Sequence, residues 1–162
     1  GYSHHLEFYT IDELETIINR TARVYGSDID PLAVNEIARR SRGTPRIANK
    51  LFRRVRDFAL VKNNGSIDVD VTKDSLNKLK VDCLGLDKVD IKYLRGVIER
   101  FKGGPVGIES LASAIGEETV TLEDVVEPYL LQIGFINRTP KGRIATDKAI
   151  EHLEELKYSG QL

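Results

Sequence analysis

Two short segments carry residue types whose spacing favours phosphate binding, and the first is Gly43-Thr44-Pro45-Arg46. Gly43 suits the left-handed residue that ends a helix, Thr44 an N-cap, and Pro45 the first helical turn. Arg46 then lies where unpaired backbone N–H groups, the helix dipole and a guanidinium together favour an anion, above all a phosphate. By themselves these four residues fit an ordinary helix boundary with a surface arginine better, because such boundaries are common.

The second segment is a cluster of positive charges near the C-terminal end of the chain. Arg138, Lys141 and Arg143 surround the turn Pro140-Lys141-Gly142, which joins two segments with the alternation of strands. A tight turn projects these charges outward, which suits contact with DNA phosphates without reading of the bases. The alternative is a solvated set of charges on a hairpin. The elements around the hairpin lead us to favour DNA.

The composition limits the class of protein. The chain has 162 residues, 41% hydrophobic and 30% charged, enough for one domain or two small ones. Its net charge of −1 means that any DNA site is a local patch. The only cysteine, Cys83, excludes an internal disulfide and fits a cytoplasmic protein; we expect a small buried or linker residue. We predict no metal site, because His4 and His5 are isolated, and no membrane span, because no apolar run is long enough.

Residues 1–81 are predicted to form a bundle of four helices. A capping box, Thr10 with Glu13, opens the first helix, and Gly26 ends it. Asp30 caps the second, which is predicted to end at Gly43. The third runs from about residue 45 to 62 and the fourth begins near residue 72, after a short extended piece around residues 67–69. The predicted core stripe of the third helix is Ile47, Leu51, Val55 and Phe58, widened by Ala48, Phe52 and Ala59.

The densest basic region of the sequence spans the end of the second helix and the third helix. A nucleic-acid or protein contact is one interpretation, and a solvated face paired with acidic neighbours such as Asp57 is the commoner one. The region consists of Arg39, Arg40, Arg42, Arg46, Lys50, Arg53, Arg54 and Arg56.

Residues 82–162 are predicted to form a winged-helix domain, so the predicted fold is mainly α with one small β-hairpin. A helix over residues 87–101, a helix-turn-helix from residue 108, a hairpin over residues 135–146 and a last helix follow one another. Pro128 should bend the second helix of the helix-turn-helix or begin a new first turn. That helix carries Glu123, Asp124 and Glu127 and no Lys or Arg, so we expect it to be repelled by DNA, unlike the hairpin.

Several motifs together resemble the C-terminal part of the RuvB family of bacterial branch-migration ATPases, over nearly the whole chain. They are Leu6-Glu7-Phe8-Tyr9, Gly43-Thr44-Pro45-Arg46-Ile47-Ala48-Asn49, Arg53-Arg54-Val55-Arg56-Asp57-Phe58-Ala59, Gly103-Gly104-Pro105-Val106-Gly107, Ile115-Gly116-Glu117-Glu118, Glu127-Pro128-Tyr129-Leu130 and Arg138-Thr139-Pro140-Lys141-Gly142-Arg143.

This resemblance implies an AAA+ small domain, or lid, over residues 1–81 and a DNA-binding winged helix over residues 82–162. It implies that Arg46 is the sensor-2 arginine on the nucleotide phosphates, that Tyr9 lies near the adenine and Pro45 beside the base. It also implies that Arg138 and Arg143 bind DNA. The whole protein would use ATP with Mg²⁺, form hexameric rings on Holliday-junction DNA, and act with RuvA and RuvC in recombination and repair.

The sequence departs from the family in three places. His5 stands where an arginine is usual, and Thr119 stands where some members have a further DNA-contacting arginine, so that contact does not carry over. The sequence has no G-x-x-x-x-G-K-[ST] phosphate loop, so we expect no ATP hydrolysis and only feeble nucleotide binding by this chain alone. The first residue, Gly1, and the absence of methionine lead us to expect a fragment.

Two other functions are consistent with parts of the sequence. One is a stand-alone winged-helix regulator with a helical effector domain, which the acidic second helix disfavours. The other is an adaptor that binds a protein partner through the basic face of the four-helix half. Neither explains why Tyr9, Arg46 and the cationic hairpin occur in one chain.

Overall fold

The computed structural model describes residues 7–162, which form two compact units. The N-terminal unit ends at Asp87 and the C-terminal unit begins at Lys88. Both are mainly helical, and the second adds one small antiparallel hairpin, which confirms the predicted fold class. His4, His5 and Leu6, used in the sequence predictions, lie outside the described residues.

The helices of the N-terminal unit begin where the sequence supplies a capping side chain. Thr10 accepts a hydrogen bond from the backbone N–H of Glu13, and the carboxylate of Glu13 accepts one from the N–H of Thr10, which is the predicted capping box. Gly26, at φ 63°, ends this helix as predicted. The helices are α1 (Ile11–Tyr25), α2 (Pro31–Arg39), α3 (Pro45–Lys62) and α4 (Val69–Lys78).

The core of this unit is packed mainly from α1, α2 and α3. On α3, Ile47 and Phe58 are only partly buried. The buried stripe is therefore centred closer to the residues that were predicted only to widen it. The fully buried α3 side chains are Ala48, Leu51, Phe52, Val55 and Ala59, and they pack with Leu14, Ile18, Val34, Ile37, Ile67 and Leu76.

Two predicted boundaries in this unit are wrong. Helix α2 ends at Arg39 rather than Gly43, because the chain turns there and Arg42 takes a left-handed conformation at φ 55°. Helix α4 begins at Val69, three residues before the prediction. Asp68 caps it by accepting a hydrogen bond of 2.8 Å from the backbone N–H of Val71.

The C-terminal unit contains two π-helical turns. The first ends the helix that it follows, and the second has helical segments on both sides. The elements are α5 (Lys88–Arg95) with the π turn Gly96–Arg100, α6 (Ile108–Ile115), α7 (Thr119–Thr121) with the π turn Leu122–Val126, α8 (Glu127–Gln132), β1 (Ile136–Thr139), β2 (Gly142–Ala145) and α9 (Asp147–Tyr158).

Pro128 lies in the first turn of α8, directly after the second π turn, which agrees with the prediction of a new first turn. The helical segment that leads to it starts at Thr119. The core of the unit gathers around these helices and the hairpin, and its largest fully buried side chains include Tyr93, Leu94, Leu111, Leu122 and Phe135.

Three further observations concern ligands and environment. No helix in the described part of the chain has both the length and the apolar character needed to cross a membrane. Within residues 7–162, no group of three or more His, Cys, Asp or Glu side chains is arranged to hold a metal ion. Of the two environments expected for Cys83, the structure has the linker: the residue is exposed between α4 and α5. Partial desolvation together with Asp82 raises the pKa of its thiol, opposite to the shift of an activated nucleophile.

Candidate nucleotide and DNA sites

The turn between α2 and α3 brings the first predicted site together. Gly43 has φ 69°, and its carbonyl accepts a hydrogen bond of 2.8 Å from the backbone N–H of Tyr9. A Cβ atom added to Gly43 would lie 2.8 Å from Cδ1 of Phe8, so only glycine allows the Phe8-Tyr9 segment this close. Tyr9 is therefore joined to the turn that precedes Pro45, and its side chain is 43% exposed.

The opening of α3 has the geometry expected of an anion site. Thr44 is extended, and its hydroxyl accepts a hydrogen bond of 3.2 Å from the backbone N–H of Ile47. Pro45 occupies the first turn. The side chain of Arg46 is exposed and makes no hydrogen bond or ion pair with any of residues 7–162. This opening thus presents a guanidinium beside the positive end of a helix of 18 residues.

Behind this turn lies a buried ion-pair network centred on Glu36. One carboxylate oxygen accepts a hydrogen bond of 2.9 Å from Nη2 of Arg40, and the other accepts one from Arg39. Arg40 also donates from Nη1 to Oδ1 of Asn77, at 2.9 Å, and to the carbonyl of Val81, at 2.8 Å. Burial alone raises the pKa of Glu36, but the hydrogen bonds and charges of the two arginines outweigh it and lower the pKa overall.

The predicted basic region is divided by this network. Arg40 is buried in it, and Arg42 donates to the carbonyl of Gly85 at 3.1 Å, so these two side chains connect the end of α2 to the segment after α4. Arg56 contacts Asp57 at 3.6 Å, as expected of a solvated face, and lies 4.8 Å from the ring centroid of Tyr25. Four members of the predicted basic region remain as exposed cations on α3: Arg46, Lys50, Arg53 and Arg54.

The second predicted site is the hairpin of the C-terminal unit. Strands β1 and β2 pair antiparallel, with Arg138 directly opposite Arg143. Lys141 is exposed in the turn, and its backbone N–H donates to Oγ1 of Thr139 at 3.2 Å. The three predicted side chains are therefore carried on one short hairpin.

Both hairpin arginines are bound to Glu127, at the start of α8. Arg143 donates from Nε to Oε2 at 2.9 Å and from Nη2 to Oε1 at 3.1 Å. Arg138 donates from Nη2 to Oε1 at 3.0 Å. The hydroxyl of Tyr93, on α5, donates to Oε2. A single carboxylate with no exposed surface thus joins two helices to both strands of the hairpin.

The electrostatics of this network keep Glu127 ionised. Burial alone raises its pKa, but the hydrogen bonds from Arg143, Tyr93 and Arg138 and the charge of Arg143 lower it overall. The carboxylate also raises the pKa of Arg143 by accepting its hydrogen bonds. Burial and the hydrogen bond to the carboxylate raise the pKa of Tyr93. The network therefore holds two positive charges and one negative charge near neutral pH.

The burial of Glu127 corrects one expectation from the sequence. The sequence predicts that Glu127 helps to repel its helix from DNA, but the side chain lies inside the unit and is neutralised by arginine. Glu123 and Asp124 are exposed, so the helical segment after Thr119 still presents acidic side chains and, in the described structure, no lysine or arginine of its own.

A third extended segment supports the hairpin. Val106 and Arg143 exchange two backbone hydrogen bonds, of 3.0 and 2.8 Å. The approach is so close that a Cβ atom on Gly104 would lie 2.3 Å from the carbonyl oxygen of Arg143. Gly103-Gly104-Pro105-Val106-Gly107 is among the family motifs in the sequence, but the pairing of Val106 with the hairpin was not predicted.

Comparisons with known proteins agree with this architecture in both units. A family model described as the RuvB AAA lid domain matches residues 9–82, and one described as the RuvB C-terminal winged helix domain matches residues 83–154. A structure described as the Thermotoga maritima RuvB Holliday junction branch migration motor is 48% identical, with a TM-score of 0.88, over 92% of this chain and 50% of its own. A point mutant of that protein is also 48% identical, with a TM-score of 0.88, over 93% of this chain and 50% of its own.

The chain belongs to the RuvB family. It spans about half the length of the RuvB structures that it matches. The matches cover a lid and a winged helix together, which supports a part of a RuvB protein over a stand-alone regulator.

Within the RuvB winged helix, sequence reasoning missed Glu127 and Tyr93 as partners of the hairpin. The motif Glu127-Pro128-Tyr129-Leu130 was recognised, but nothing in its spacing links it to strands that follow 11 and 16 residues later. Thr119 is the first residue of α7 and is partly exposed.

Proposed function

We propose that this chain is the nucleotide-sensing and DNA-binding half of an ATP-dependent motor that drives branch migration of Holliday junctions. Membership of the RuvB family in both units supports this proposal. The observation that carries it is the cationic hairpin on a winged helix whose helical segment is acidic. Because the chain spans about half of the matched structures, the motor activity belongs to a longer protein.

The hairpin is the proposed DNA contact, through Arg138, Lys141 and Arg143. Arg138 and Lys141 are exposed, and Arg143 lies directly across the ladder from Arg138. Exposed carboxylates at Glu123 and Asp124 disfavour insertion of the neighbouring helical segment into a groove. We therefore infer backbone binding without sequence preference, which suits a protein that moves along DNA.

The opening of α3 is the proposed nucleotide contact, through Tyr9, Pro45 and Arg46. The residues present fit a nucleotide at its phosphate end, because a guanidinium with no ion pair among residues 7–162 lies beside the N–H groups of a capped helix. Tyr9 offers an exposed ring next to this turn, as a base contact requires. Bound ATP with Mg²⁺ would supply the phosphoryl-transfer chemistry. Since the sequence has no phosphate loop, we infer that this chain alone does not hydrolyse ATP.

We extend the family's assembly to the longer protein as part of the same proposal. It would form hexameric rings on duplex DNA beside a Holliday junction and act with RuvA and RuvC. Within it, Arg46 would respond to the terminal phosphate, and the lid would pass that response to the winged helix.

The sensor role is tested by replacing Arg46 in the full-length protein. Arg46→Ala should reduce ATP turnover at least tenfold, while DNA binding by the 162-residue chain stays unchanged. Arg53→Ala is the matched control, because Arg53 is another exposed arginine of α3 that lies two turns away. Normal ATP turnover by Arg46→Ala would refute the sensor role.

The hairpin's role is tested by the salt dependence of duplex and junction binding. Replacing Arg138 and Arg143 by alanine removes both cations from the buried Glu127, so binding is measured where circular dichroism shows the variant folded. The folded variant should bind more weakly and show a slope of log K against log salt that is lower by about 0.9 for each phosphate that is no longer neutralised. An unchanged slope would place the DNA contact elsewhere. A strong preference for one base sequence over random duplexes would instead favour a regulator.

A further inference from the structure

We propose that Glu127 is a positioning residue for DNA binding: its buried carboxylate holds the guanidinium groups of Arg138 and Arg143 in the arrangement that contacts phosphates. This inference rests on the proposed DNA-binding function of the hairpin. It adds to that function a residue that does not itself contact DNA.

The hairpin needs such an anchor because of its own charges. Arg138 and Arg143 are direct cross-strand partners, and like charges in that relation repel each other. Each strand has only four residues, and so short a hairpin is marginal without support. Glu127 accepts hydrogen bonds from both arginines. Its negative charge attracts both guanidinium groups and so offsets the repulsion between them.

Glu127 is itself held in place from the helical side. It is the first residue of α8, where Pro128 restricts the backbone, and its Oε2 accepts the hydroxyl hydrogen of Tyr93 on α5. Both carboxylate oxygens are therefore occupied, and each accepts two hydrogen bonds. A carboxylate fixed in this way gives the arginines a rigid rather than an adaptable counter-charge.

The two arginines use this anchor to different extents. Arg143 contacts both oxygens and its side chain is 17% exposed, so most of it serves to attach β2 to the helix. Arg138 uses one nitrogen and is 48% exposed, which leaves most of its five N–H donors for a phosphate. We expect Glu127 to act on DNA mainly through the orientation of Arg138.

The positioning role predicts an effect opposite in sign to simple electrostatics. Removing a carboxylate from a DNA-binding protein normally strengthens binding, because less negative charge faces the phosphates. Glu127→Gln should instead weaken duplex binding, since a neutral amide holds the guanidinium groups poorly and competes with them as a donor. Glu123 provides the matched control: it lies four residues earlier, is exposed, and acts on Arg143 through its charge but accepts no hydrogen bond from either hairpin arginine in the described structure.

The experiment measures binding of a labelled duplex by fluorescence anisotropy over a series of salt concentrations, with the 162-residue chain. Glu127→Gln should bind about tenfold more weakly and show a slope lower by about 0.9, the value for one phosphate contact. Glu123→Gln should bind as tightly as the wild type or more tightly. Wild-type affinity and slope in Glu127→Gln would overturn the proposal, as would equal weakening by Glu123→Gln.

To separate positioning from a purely structural role, binding is measured under conditions in which circular dichroism shows that each variant is folded. Loss of stability alone would lower the melting temperature and leave the affinity and slope of the folded protein unchanged, which would refute positioning. If Glu127→Gln does not fold, Tyr93→Phe replaces it, because it removes one hydrogen bond to Oε2 and no charge. Two- to threefold weaker binding by Tyr93→Phe would support positioning, and unchanged binding would refute it.

A double-mutant comparison separates this inference from the proposed function. In a chain with Arg138→Ala and Arg143→Ala, adding Glu127→Gln should cause no further weakening, because the groups that it positions are absent. If the two arginine substitutions do not affect binding, the proposed function of the hairpin fails. If they weaken binding but Glu127→Gln does not, only the positioning role fails.

Discussion

Each unit buries one glutamate between two arginines, but the arginines reach it from different distances along the chain. In the N-terminal unit, Arg39 and Arg40 follow Glu36 by three and four residues at the end of the same helix. In the C-terminal unit, the partners of Glu127 lie 11 and 16 residues later, on the two strands of a hairpin. The same chemistry is therefore local in one unit and long-range in the other.

The difference shows what each network can do. Arg40 is buried and spends its terminal donors on Glu36, Asn77 and Val81, so it fixes the end of α2 against the segment after α4. Arg138 makes one contact with its carboxylate and keeps half of its side chain exposed. A buried carboxylate can thus complete a core, as Glu36 does with Arg40, or hold a surface cation in place, as Glu127 does with Arg138.

The largest expected effect breaks the local network. Arg40→Ala removes the buried partner of Glu36 and the donors to Asn77 and Val81, so we expect the N-terminal unit to lose about 3–5 kcal/mol, as when one member of a buried pair is deleted. Urea denaturation followed by circular dichroism measures this change. Arg53→Ala, at an exposed position on α3, should stay within about 0.5 kcal/mol of the wild type. Equal stabilities of the two variants would contradict a structural role for Arg40.

The local features of the fold were predictable because the residues involved are close in sequence. Thr10 with Glu13, Thr44 with Pro45, and Gly26 mark helix ends through backbone groups at most a few residues away. The fold class and the placement of the cations on one hairpin followed from such signals. Arg40 appeared as part of a basic surface, because its buried contacts to Asn77 and Val81 come from 37 and 41 residues later.

There is a second reason why the burial of Glu127 could not be predicted from the sequence. In a regular α-helix, Glu123 and Glu127 would share one face, since they are four residues apart. The π turn Leu122–Val126 changes the helical register between them, so that Glu123 is exposed and Glu127 is buried. The sequence prediction grouped the two carboxylates by their charge on one helix and made no allowance for such a turn.

A smaller expected effect concerns the extended segment at Val106 that supports the hairpin. Within the described residues, the network around Glu36 has no such supporting segment. Gly104→Ala should destabilise the C-terminal unit by more than the strain of its left-handed conformation, because the added Cβ would lie 2.3 Å from the carbonyl oxygen of Arg143. Gly103→Ala is the matched control: its φ is 91° against 94° for Gly104, and open space surrounds its added Cβ. It should show only the strain, about 1–3 kcal/mol.

Thermal unfolding and duplex binding measure the result. Because Gly104→Ala displaces the backbone of Arg143, it should also weaken DNA binding, whereas Gly103→Ala should not. Equal unfolding free energies for the two variants would show that Val106 and β2 can separate without cost.

Acid should weaken both networks in the same direction. The pKa values of Glu36 and Glu127 are lowered in the folded chain, because the hydrogen bonds and charges of their arginines outweigh the effect of burial. The stabilisation is therefore complete above the unfolded pKa, about 4.3, and is lost as the pH falls through the lower folded values. Glu127→Gln should make stability of the C-terminal unit less dependent on pH below about 4.3, measured by urea denaturation at several pH values. A profile as steep as that of Glu123→Gln would contradict the ionised state of Glu127.

The smallest expected change in stability provides the sharpest comparison between the units. Arg39 and Arg138 are the outer arginines of the two networks, with side chains 47% and 48% exposed. Replacing either by alanine should cost only about 0–1 kcal/mol, because Arg40 or Arg143 remains to neutralise the buried carboxylate. Only Arg138→Ala should lower the salt dependence of duplex binding, by about 0.9 in the slope, since only this arginine lies on the proposed DNA surface. Equal slopes for the two variants would mean that Arg138 contributes no more to DNA binding than Arg39, a similarly exposed arginine beside the other buried glutamate.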